Sequence, residues 1–477
     1  MGKGVSLALE VTPQGREPIF LALARSIIAE IERGRLKPGE ALPGTRALAQ
    51  ALALNRNTVD AAYQELIMQG WLATTPSRGT FVARDLPDFG RERVRSAFGA
   101  SGEEIFFPPA AGHRLSDGVP DARLAPTVEL GQAFRRAILA PSFYTDGGYG
   151  DPRGSSFLRD ALSFYLKDER GLTTTPNEIL VTQGSQMALF LAASAIARPG
   201  AVIAVESPGY PLAWSAFRAA GVEVKGIAVD EGGIDLDALE RLAAEDKRLR
   251  AIYVTPHHQY PTTVTMGAGR RLRLLDLARR HNLVIIEDDY DHEYRFDGRP
   301  VLPLAARAGD TQIVYLGSLS KLIAPGIRLG YAVAPVSILR RMADRREAID
   351  RQGNIALENA LGELIADGTI RRHARKVRRV YHERRNRLAT LLTGQLGDQL
   401  SIPLPAGGLA LWVSLRQGLS AETWTKNAAR LGLSILPGVS FMLDTTQPPE
   451  CLRLGYASIN EAEMDSCIRL LKESVPI

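Results

Sequence analysis

Six short apolar runs, separated by stretches with helical periodicity, recur from about residue 155 onward and constrain the fold more than any other feature. Continuous apolar runs of this length are typical of strands buried on both faces of a parallel sheet. The runs are Ile179–Thr182, Val202–Val205, Ala251–Thr255, Leu283–Ile286, Gln312–Tyr315 and Leu329–Val333. Helix-like stretches such as Met187–Ala197 and Arg270–Arg280 lie between several of them. This alternation predicts a doubly wound, mainly parallel α/β sheet.

The end of the chain predicts a second, smaller α/β lobe. Residues 335–477 combine helical patterns with two strand-like runs, Leu409–Val413 and Cys451–Leu454. These two runs are expected to be antiparallel strands.

The composition fits a globular protein and excludes several classes. Of 477 residues, 45% are hydrophobic and 23% are charged, and the net charge of +5 is a mild indication of a polyanionic partner. Cys451 and Cys467 are too few for a disulfide framework or a cysteine-based metal site, and we expect no metal. Without a membrane-length apolar run or the apolar core of a signal peptide, the protein is expected to be cytoplasmic, with no membrane partner.

Residues 17–84 have the pattern of a winged helix-turn-helix. A helix is predicted from Pro18 to Arg33, a second helix is predicted to be capped by Thr45, and a third to be capped by Asn55. Two strand-like runs then flank the turn Pro76–Gly79, which predicts a hairpin. Two short helices with a tight joint, followed by a hairpin, form a fold that is mainly α.

Three segments follow from these patterns. Residues 1–84 are predicted to form the winged helix-turn-helix domain, and residues 85–112, rich in Gly, Pro and mixed charge, a linker. Residues 113–477 are predicted to form the α/β domain with its large and small lobes.

Four features follow the carboxyl ends of predicted strands, where ligands bind in open α/β sheets. The turn Gly184–Gln186 offers backbone N–H groups and a hydroxyl to a phosphate. Tyr210 can lay an aromatic face over a planar ring. Asp288 and Tyr290 are two residues apart, so they point the same way if the chain is extended. Lys321 follows the fifth run, Gln312–Tyr315, among serines and apolar residues, although lysines are usually solvated.

A phosphate site, a ring face, a carboxylate, a phenol and an inward amine together match one cofactor, pyridoxal 5′-phosphate. The lysine amine forms an imine with the aldehyde of the cofactor. A carboxylate beside the ring nitrogen keeps that nitrogen protonated, so that the ring can accept electrons. A lone lysine after a strand is most often a solvated strand end, and Tyr210 alone would more often be a core residue. The order of all these features along the chain favours the cofactor.

Residues 113–477 resemble the fold-type I aminotransferases, because Ser318–Gly330 carries the signature S-x-S-K-x-x-x-P-G-x-R-x-G. The resemblance implies that Lys321 is the Schiff-base lysine, that Asp288 pairs with the pyridine nitrogen and that Tyr290 pairs with the ring hydroxyl. It also implies ring stacking by Tyr210 and phosphate contacts from a further set of residues, Ser185, Gln186, Ser318, Arg328 and, across a homodimer interface with shared sites, Tyr149.

The resemblance also implies an effector site. Arg453 matches the arginine that binds a substrate carboxylate, and its planar fork suits that role. Arg453 as a structural ion-pair partner is the alternative. His258 is either a pocket residue or a loop histidine with satisfied hydrogen bonds, and the sequence favours neither.

The combination of the winged helix with the α/β domain resembles the MocR subfamily of GntR-type transcriptional regulators over nearly the whole chain. The motifs are L-P-x-x-R at Leu42–Arg46, N-R-N-T-V at Asn55–Val59, E-D-D-Y-D at Glu287–Asp291 and H-Q-[FY]-P-T at His258–Thr262. Thr263 stands where glycine is usual, Gly44-Thr45 replaces the common Ser-Ser, and Ala410 stands where histidine is frequent. Thr263 and Ala410 fall near the expected pocket, so the effector is not identified.

The expected DNA contacts lie at the start of the recognition helix, in the helix before it and at the wing tip. In a helix-turn-helix, the N-terminal residues of the second helix meet base edges, and a wing can reach phosphates or the minor groove. The residues are Arg46, Arg56, Asn57, Thr58, Arg78 and Gly79. Ten basic against seven acidic residues in 1–84 support DNA binding only weakly.

The expected function is that of a homodimeric transcriptional regulator that binds a double-stranded DNA operator and senses a small amino compound through an aldimine with pyridoxal phosphate. Two alternatives stay open: an active aminotransferase with an accessory DNA-binding domain, and a regulator that senses pyridoxal phosphate itself. The basic segment 371–387 is expected to be a solvated helix face, with a second DNA-contacting surface as the minority interpretation.

Overall fold

An eight-stranded sheet dominates the computed structural model, which describes residues 11, 13, 17–76, 78–86, 112–115, 118–145, 149–298, 301–444, 446 and 448–476. The chain divides into two compact units, Met1–Pro108 and Pro109–Ile477. Apart from its first two residues and its last, the expected linker at 85–112 lies outside the described residues.

Three helices and a hairpin make up the described part of the first unit. They are α1 (Ile19–Glu32), α2 (Thr45–Ala51), α3 (Arg56–Met68), β1 (Leu72–Thr75) and β2 (Gly79–Val82). The two strands pair antiparallel with Leu72 opposite Val82, so the predicted hairpin is confirmed, although Gly79 belongs to β2 and not to the turn. A shared core of buried side chains from α1, α3 and β2 includes Leu23, Val59 and Val82.

One of the two predicted helix caps is confirmed and the other is wrong. The Asn55 side chain accepts a hydrogen bond from the Asn57 N–H at 2.9 Å, as expected of an N-cap. Thr45 does not cap α2, because Gly44 is the N-cap and its carbonyl accepts from the Leu48 N–H. Thr45 therefore already belongs to the first turn of the helix.

The second unit begins with a short strand and three helices, and continues into the alternating strands and helices of the large sheet. The first elements are β3 (His113–Arg114), α4 (Thr127–Leu139), α5 (Pro141–Thr145), α6 (Ser156–Arg170), β4 (Ile179–Thr182), α7 (Ser185–Ile196), β5 (Val202–Ser207), α8 (Pro211–Ala219), β6 (Glu223–Asp230), β7 (Gly233–Ile234), α9 (Leu236–Glu245), β8 (Leu249–Val254), α10 (Ala268–Arg280), β9 (Val284–Asp289), β10 (Ile313–Ser318), α11 (Leu319–Leu322) and β11 (Gly330–Val333).

The remaining elements are the helices and short strands that follow the sheet. They are α12 (Val336–Asp350), α13 (Ile355–Ala366), α14 (Thr369–Leu396), β12 (Leu400–Ser401), β13 (Ala410–Leu415), α15 (Ala421–Arg430), β14 (Leu433–Ser434), β15 (Leu436–Pro437), β16 (Cys451–Gly455) and α16 (Glu461–Glu473).

The large sheet has the strand order β4-β11-β10-β9-β8-β5-β6-β7. Strands β10, β9, β8, β5 and β6 are parallel, while β11 is antiparallel to both of its neighbours and β7 is antiparallel to β6. All six apolar runs are strands of this sheet, so the predicted mainly parallel sheet is confirmed. Strand β6 was not predicted, because most of its residues are at least partly exposed and its sequence is not continuously apolar.

Helices cover both faces of the sheet. Along β5, Ile203 and Val205 pack in one core with helices α7, α8 and α12, whereas Val202 and Ala204 pack in another core with α9 and α10. This alternation follows from the two-residue period of a strand. The sheet is thus buried between two helical layers, and its carboxyl edge is left for a ligand.

A four-stranded antiparallel sheet, in the order β12-β13-β16-β15, forms the core of the smaller lobe with α14, α15 and α16. The two strand-like runs are β13 and β16, and their predicted antiparallel character is confirmed, because they pair with each other. The prediction that this lobe starts at residue 335 is wrong. Met342 of α12 packs with α7 under the large sheet, and Leu361 of α13 packs with α6.

Among the described residues, none of the helices has the length and hydropathy that a membrane span requires.

Candidate functional site

A cavity lies at the carboxyl ends of the parallel strands β8 and β9 and the turn that follows β10. Its lining residues are Ser185, Tyr210, Tyr253, Thr255, Tyr260, Asp288, Tyr290 and Lys321. Five of the residues selected from the sequence therefore meet in one place, although they come from segments up to 136 residues apart. They do so because parallel strands bring their carboxyl ends to one edge of the sheet.

Lys321 is presented to the cavity by the single turn of α11, which directly follows β10. The Ser318 side chain caps this turn by accepting a hydrogen bond from the Lys321 N–H at 3.2 Å. The Tyr294 hydroxyl donates to the Lys321 carbonyl at 2.9 Å, and the Lys321 Nζ lies 3.5 Å from the Gly118 carbonyl. Hydrogen bonds thus hold both the N–H and the carbonyl of Lys321, while its amine faces the cavity.

Asp288 is the buried carboxylate of the cavity. It is 3% exposed, and its Oδ2 accepts a hydrogen bond from the Tyr253 hydroxyl at 3.0 Å. Its Oδ1 has no hydrogen-bond partner among the described residues. Burial raises the pKa of Asp288 to about 7, against the opposing hydrogen bond from Tyr253. The buried Asp288 Oδ1 therefore lacks a hydrogen-bond donor within the described part of the chain, and the protonated ring nitrogen of a bound cofactor would supply one.

The pleat of β9 points neighbouring side chains of the E-D-D-Y-D motif in opposite directions. Asp288 and Tyr290 line the cavity, as their two-residue spacing predicts. Asp289 instead contacts His292 at 2.8 Å and accepts from the Tyr315 hydroxyl at 2.7 Å. Desolvation opposes the ionisation of Asp289, but the charges of His292 and Arg170 hold its pKa well below the usual value. The neighbouring carboxylates therefore differ sharply in their affinity for protons.

The N-terminus of α7 forms one end of the cavity. Gly184, the N-cap of this helix, has φ +81°, and a Cβ there would lie 2.9 Å from the Arg328 guanidinium. The absence of a side chain thus allows Arg328 to approach the first N–H groups of α7, beside Ser185. A cation next to free helical N–H groups is suited to a phosphate. Gln186 donates to the Leu212 carbonyl at 2.6 Å, and its Oε1 is buried without a partner among the described residues.

Arg453 and His258 lie close to this cavity without lining it. Arg453 is 2% exposed, donates to the Pro261 carbonyl at 2.7 Å, and has its guanidinium 4.2 Å from the ring centre of Tyr260, which does line the cavity. The buried His258 contacts Asp291 through Nδ1 at 2.9 Å, and its Nε2 has no partner among the described residues. Tyr149 is 75% exposed, with the Arg351 guanidinium 5.0 Å from its ring centre.

These side chains fit pyridoxal 5′-phosphate. The unpartnered Asp288 oxygen suits the pyridinium nitrogen, the α7 terminus with Arg328 suits the phosphate, and Lys321 suits the aldehyde. When bound, the cofactor supplies an electrophilic aldehyde and a ring that accepts electrons.

The residues expected to contact DNA are on the surface of the first unit. Arg56 and Asn57 at the start of α3, Arg46 in α2, and Arg78 and Gly79 at the wing are all exposed. Thr58 is half-buried in the first turn of α3. The start of a recognition helix and the tip of a wing are the parts of this fold that meet DNA.

Comparisons with known proteins agree with both parts of this description. Residues 21–82 match the family of bacterial regulatory proteins of the gntR type, and residues 115–471 match the aminotransferase class I and II family. The chain is 29% identical over 473 residues to the probable rhizopine catabolism regulatory protein MocR of Rhizobium meliloti, covering 96% of this chain and 94% of that protein. It is 32% identical over 392 residues to the pyridoxine biosynthesis transcriptional regulator PdxR of Corynebacterium glutamicum, covering 82% of each.

The chain belongs to the MocR subfamily of GntR-type transcriptional regulators.

The fold of this MocR-type regulator is also that of solved aminotransferases. The α-aminoadipate aminotransferase LysN of Thermus thermophilus, solved with N-(5′-phosphopyridoxyl)-L-leucine, has a TM-score of 0.69 and 28% identity to this chain, and covers 76% of this chain and 92% of its own. The MocR-type chain is therefore a DNA-binding regulator whose second unit is a fold-type I domain for pyridoxal 5′-phosphate.

Four residues of the MocR-type pocket were not identified from the sequence. Tyr253, Thr255 and Tyr260 line the cavity, and Glu206 lies behind Thr255, whose N–H and hydroxyl donate to it at 3.2 and 2.7 Å. Burial raises the pKa of Glu206 to about 7. One signal could have located Tyr253 and Thr255, because they are two residues apart at the end of a predicted strand and so face the same way.

Proposed function

We propose that this MocR-type chain senses a small amino compound in its cofactor pocket and changes its binding to operator DNA in response. The observation that supports this most directly is the buried Asp288 Oδ1, which lacks a hydrogen-bond partner among the described residues and lies in the same cavity as the Lys321 amine. Such a cavity holds an electrophilic cofactor at a site that a primary amine can reach, and the chain also carries a DNA-reading fold.

Each side chain has a defined part in the proposal. Lys321 binds the cofactor aldehyde and releases it to an amine of the effector, Asp288 keeps the ring nitrogen protonated, and Tyr290 contacts the ring hydroxyl. The remaining cofactor contacts are Tyr210 at the ring face and Ser185, Gln186 and Arg328 near the phosphate. Ser318 orders the Lys321 turn through its hydrogen bond, and phosphate contact is its second proposed part.

Recognition of the effector is assigned to Arg453 and His258. Arg453 lies against the Tyr260 ring, one side chain away from the cavity, and is suited to an effector carboxylate. His258 is held by Asp291 and has its second nitrogen buried. The protein is proposed to act as a homodimer with shared sites, in which the exposed Tyr149 reaches the phosphate bound by the partner subunit.

Binding to the operator is assigned to the exposed residues of the first unit, Arg46, Arg56, Asn57, Thr58, Arg78 and Gly79. An effector can change operator affinity only if it binds two conformations of the protein unequally. The amine-bound pocket is proposed to favour one of them.

Gel shifts with the DNA upstream of the neighbouring operon test this proposal. The assay is run without cofactor, with cofactor, and with cofactor plus each candidate amine. A shift in operator affinity that requires both cofactor and amine is expected for the wild type and for Lys426→Ala, a control lysine with a 73% exposed side chain. Lys321→Ala should lose both the amine response and the absorbance at roughly 380–430 nm that a protein-bound imine gives. An undiminished amine response in Lys321→Ala would exclude the proposed site.

The same experiment separates the two alternatives. An operator affinity that responds to cofactor alone, and not to amines, favours a sensor of pyridoxal phosphate. The meeting of Lys321, Asp288 and Tyr290 in one cavity supports an active aminotransferase as a second candidate function. Conversion of the bound cofactor by amino donors, followed by sustained turnover with keto acids at ordinary enzyme rates, would establish that function.

A further inference from the structure

A second cavity, of about 380 Å³, opens near the buried Asp289 network and shares no lining residue with the cofactor cavity. Its wall is mainly basic. The basic residues are His257, His292, Arg295, Arg378, Arg379 and His382, and the acidic residues are Glu169 and Glu293. Its volume lies within the range of small-molecule pockets.

Both carboxylates of this cavity are already paired with arginines. Glu293 lies 2.5 Å from Arg170, and Glu169 lies 2.5 Å from Arg371. By contrast, Arg295, Arg378 and Arg379 form no ion pair within the described part of the chain. The wall therefore carries an excess of positive charge that only a ligand, solvent ions or a partner can balance.

A buried histidine forms the inner end of the cavity. His257 is 3% exposed, and neither of its ring nitrogens has a hydrogen-bond partner among the described residues. Its ring centre lies 4.6 Å from that of His292. Burial lowers the pKa of His257 well below the usual value, so the neutral ring carries one N–H that can donate to a ligand. Buried polar groups are ordinarily paired, so this nitrogen indicates a missing partner.

A divalent cation is the alternative ligand at the inner end of the cavity. His257, Asp289 and His292 each offer a ligand atom, and these atoms lie within 4.8 Å of one another. A cation there would lie close to Arg170, whose guanidinium is 3.6 Å from Asp289, and would face the three arginines of the wall. The buried Arg170 in particular would repel a cation held by Asp289, because the two side chains are only 3.6 Å apart. The charge of the cavity therefore favours an anion over a metal.

We propose that this cavity binds a small organic anion with phosphate or carboxylate groups, held by Arg295, Arg378 and Arg379 and capped at its inner end by the N–H of His257. Guanidinium groups match both anions through paired N–H donors. The site also accounts for part of the basic segment 371–387. Several other arginines of that segment form ion pairs with acidic residues of the same chain: Arg371, Arg384, Arg385 and Arg387.

Calorimetric titration tests the proposal with inorganic phosphate and citrate as two separate ligands, at constant ionic strength set with sodium chloride. The cofactor-loaded protein is first reduced with borohydride, so that the cofactor phosphate stays in place and the added ligands cannot occupy its site. Saturable binding of at least one ligand is expected. Phosphate binding alone identifies a phosphate site, and citrate binding alone identifies a carboxylate site.

Two variants and one control locate the binding. Arg378→Gln with Arg379→Gln should raise Kd at least tenfold, and His257→Asn should raise it severalfold. Arg375→Gln, an exposed position on the same helix that does not line the cavity, should leave Kd unchanged. Equal Kd values in the double variant and the wild type, or no saturable binding of either anion, would overturn the proposal. Zinc binding without anion binding would overturn the proposal in favour of a metal site. A double variant that weakens only operator binding would overturn it in favour of a DNA contact.

Discussion

Replacement of Asp288 by asparagine should stabilise the cofactor-free protein while weakening its hold on the cofactor. Burial raises the pKa of Asp288 from 3.8 to about 7, so the folded protein binds this proton more tightly than the unfolded chain does. Stability therefore falls as the pH rises from about 4 to about 7, and the loss is complete above the folded-state pKa. Asparagine has the same shape, keeps an acceptor for the Tyr253 hydroxyl and carries no charge.

The magnitude follows from the two pKa values. One pH unit corresponds to about 1.4 kcal/mol, so the interval from 3.8 to about 7 sets an upper bound of about 4 kcal/mol for the gain at pH 8. At pH 5 the gain should shrink to about 2 kcal/mol, because only the interval from 3.8 to 5 remains. The variant also loses a charge-assisted hydrogen bond to the cofactor, worth about 1.5–3 kcal/mol, so Kd should rise about 10- to 150-fold.

Urea unfolding of the cofactor-free protein at pH 8 and pH 5, with absorbance titration of the cofactor, measures both effects. Asp276→Asn is the matched control, because Asp276 lies on α10, is 44% exposed in its side chain and forms ion pairs with the surface residues Arg279 and Arg280. It should leave cofactor affinity unchanged. A variant Asp288→Asn that is less stable at pH 8, or equally stabilised at both pH values, would contradict the buried charge. Unchanged cofactor affinity would contradict the assignment to the ring nitrogen.

Three further substitutions have defined outcomes. Gly184→Ala should raise the cofactor Kd about tenfold in the same titration. Its φ of +81° with ψ of 173° is a conformation that costs a side chain about 1–3 kcal/mol, and its Cβ would meet Arg328 at 2.9 Å. An unchanged Kd would show that the α7 terminus does not hold the phosphate. Tyr253→Phe removes the hydrogen bond that lowers the pKa of Asp288, so titrations across pH should show cofactor binding shifted to higher pH, and an unshifted profile would contradict that coupling. Asn55→Ala removes the cap of α3 and should destabilise the winged helix by about 1 kcal/mol. The expected result is weaker operator binding on warming with an unchanged cofactor spectrum. Loss of the cofactor spectrum as well would indicate general misfolding.

The sheet and the centre of its pocket could be predicted from sequence because burial restricts the types of residue that can occur there. Strands covered on both faces must be apolar throughout, and their carboxyl ends converge, so the polar residues that follow them meet. Lys321, Asp288 and Tyr290 were found in this way, and the structure brings them into one cavity. The Lys321→Ala and Asp288→Asn variants test the roles of the lysine and the carboxylate.

Features that depend on contacts between distant segments could not be predicted. Arg170 and Glu293 are 123 residues apart, and no local pattern in either helix or turn indicates that they pair. Strand β6 was missed because a mostly exposed strand has no continuous apolar run. The start of α2 at Thr45 depends on the dihedral angles of Gly44, which the type of residue does not specify.

The pleat of β9 has a consequence for how this protein can evolve. Asp288 faces the cofactor cavity, and Asp289 faces the buried arginine and histidine on the other side of the strand. Insertion or deletion of a single codon in β9 would turn the side chains beyond it to the opposite face of the strand, so Asp288 would leave the cofactor cavity and Asp289 would leave the histidine and arginine that keep it ionised. Lineages that keep the cofactor should therefore tolerate substitutions in this strand but not a change in its length.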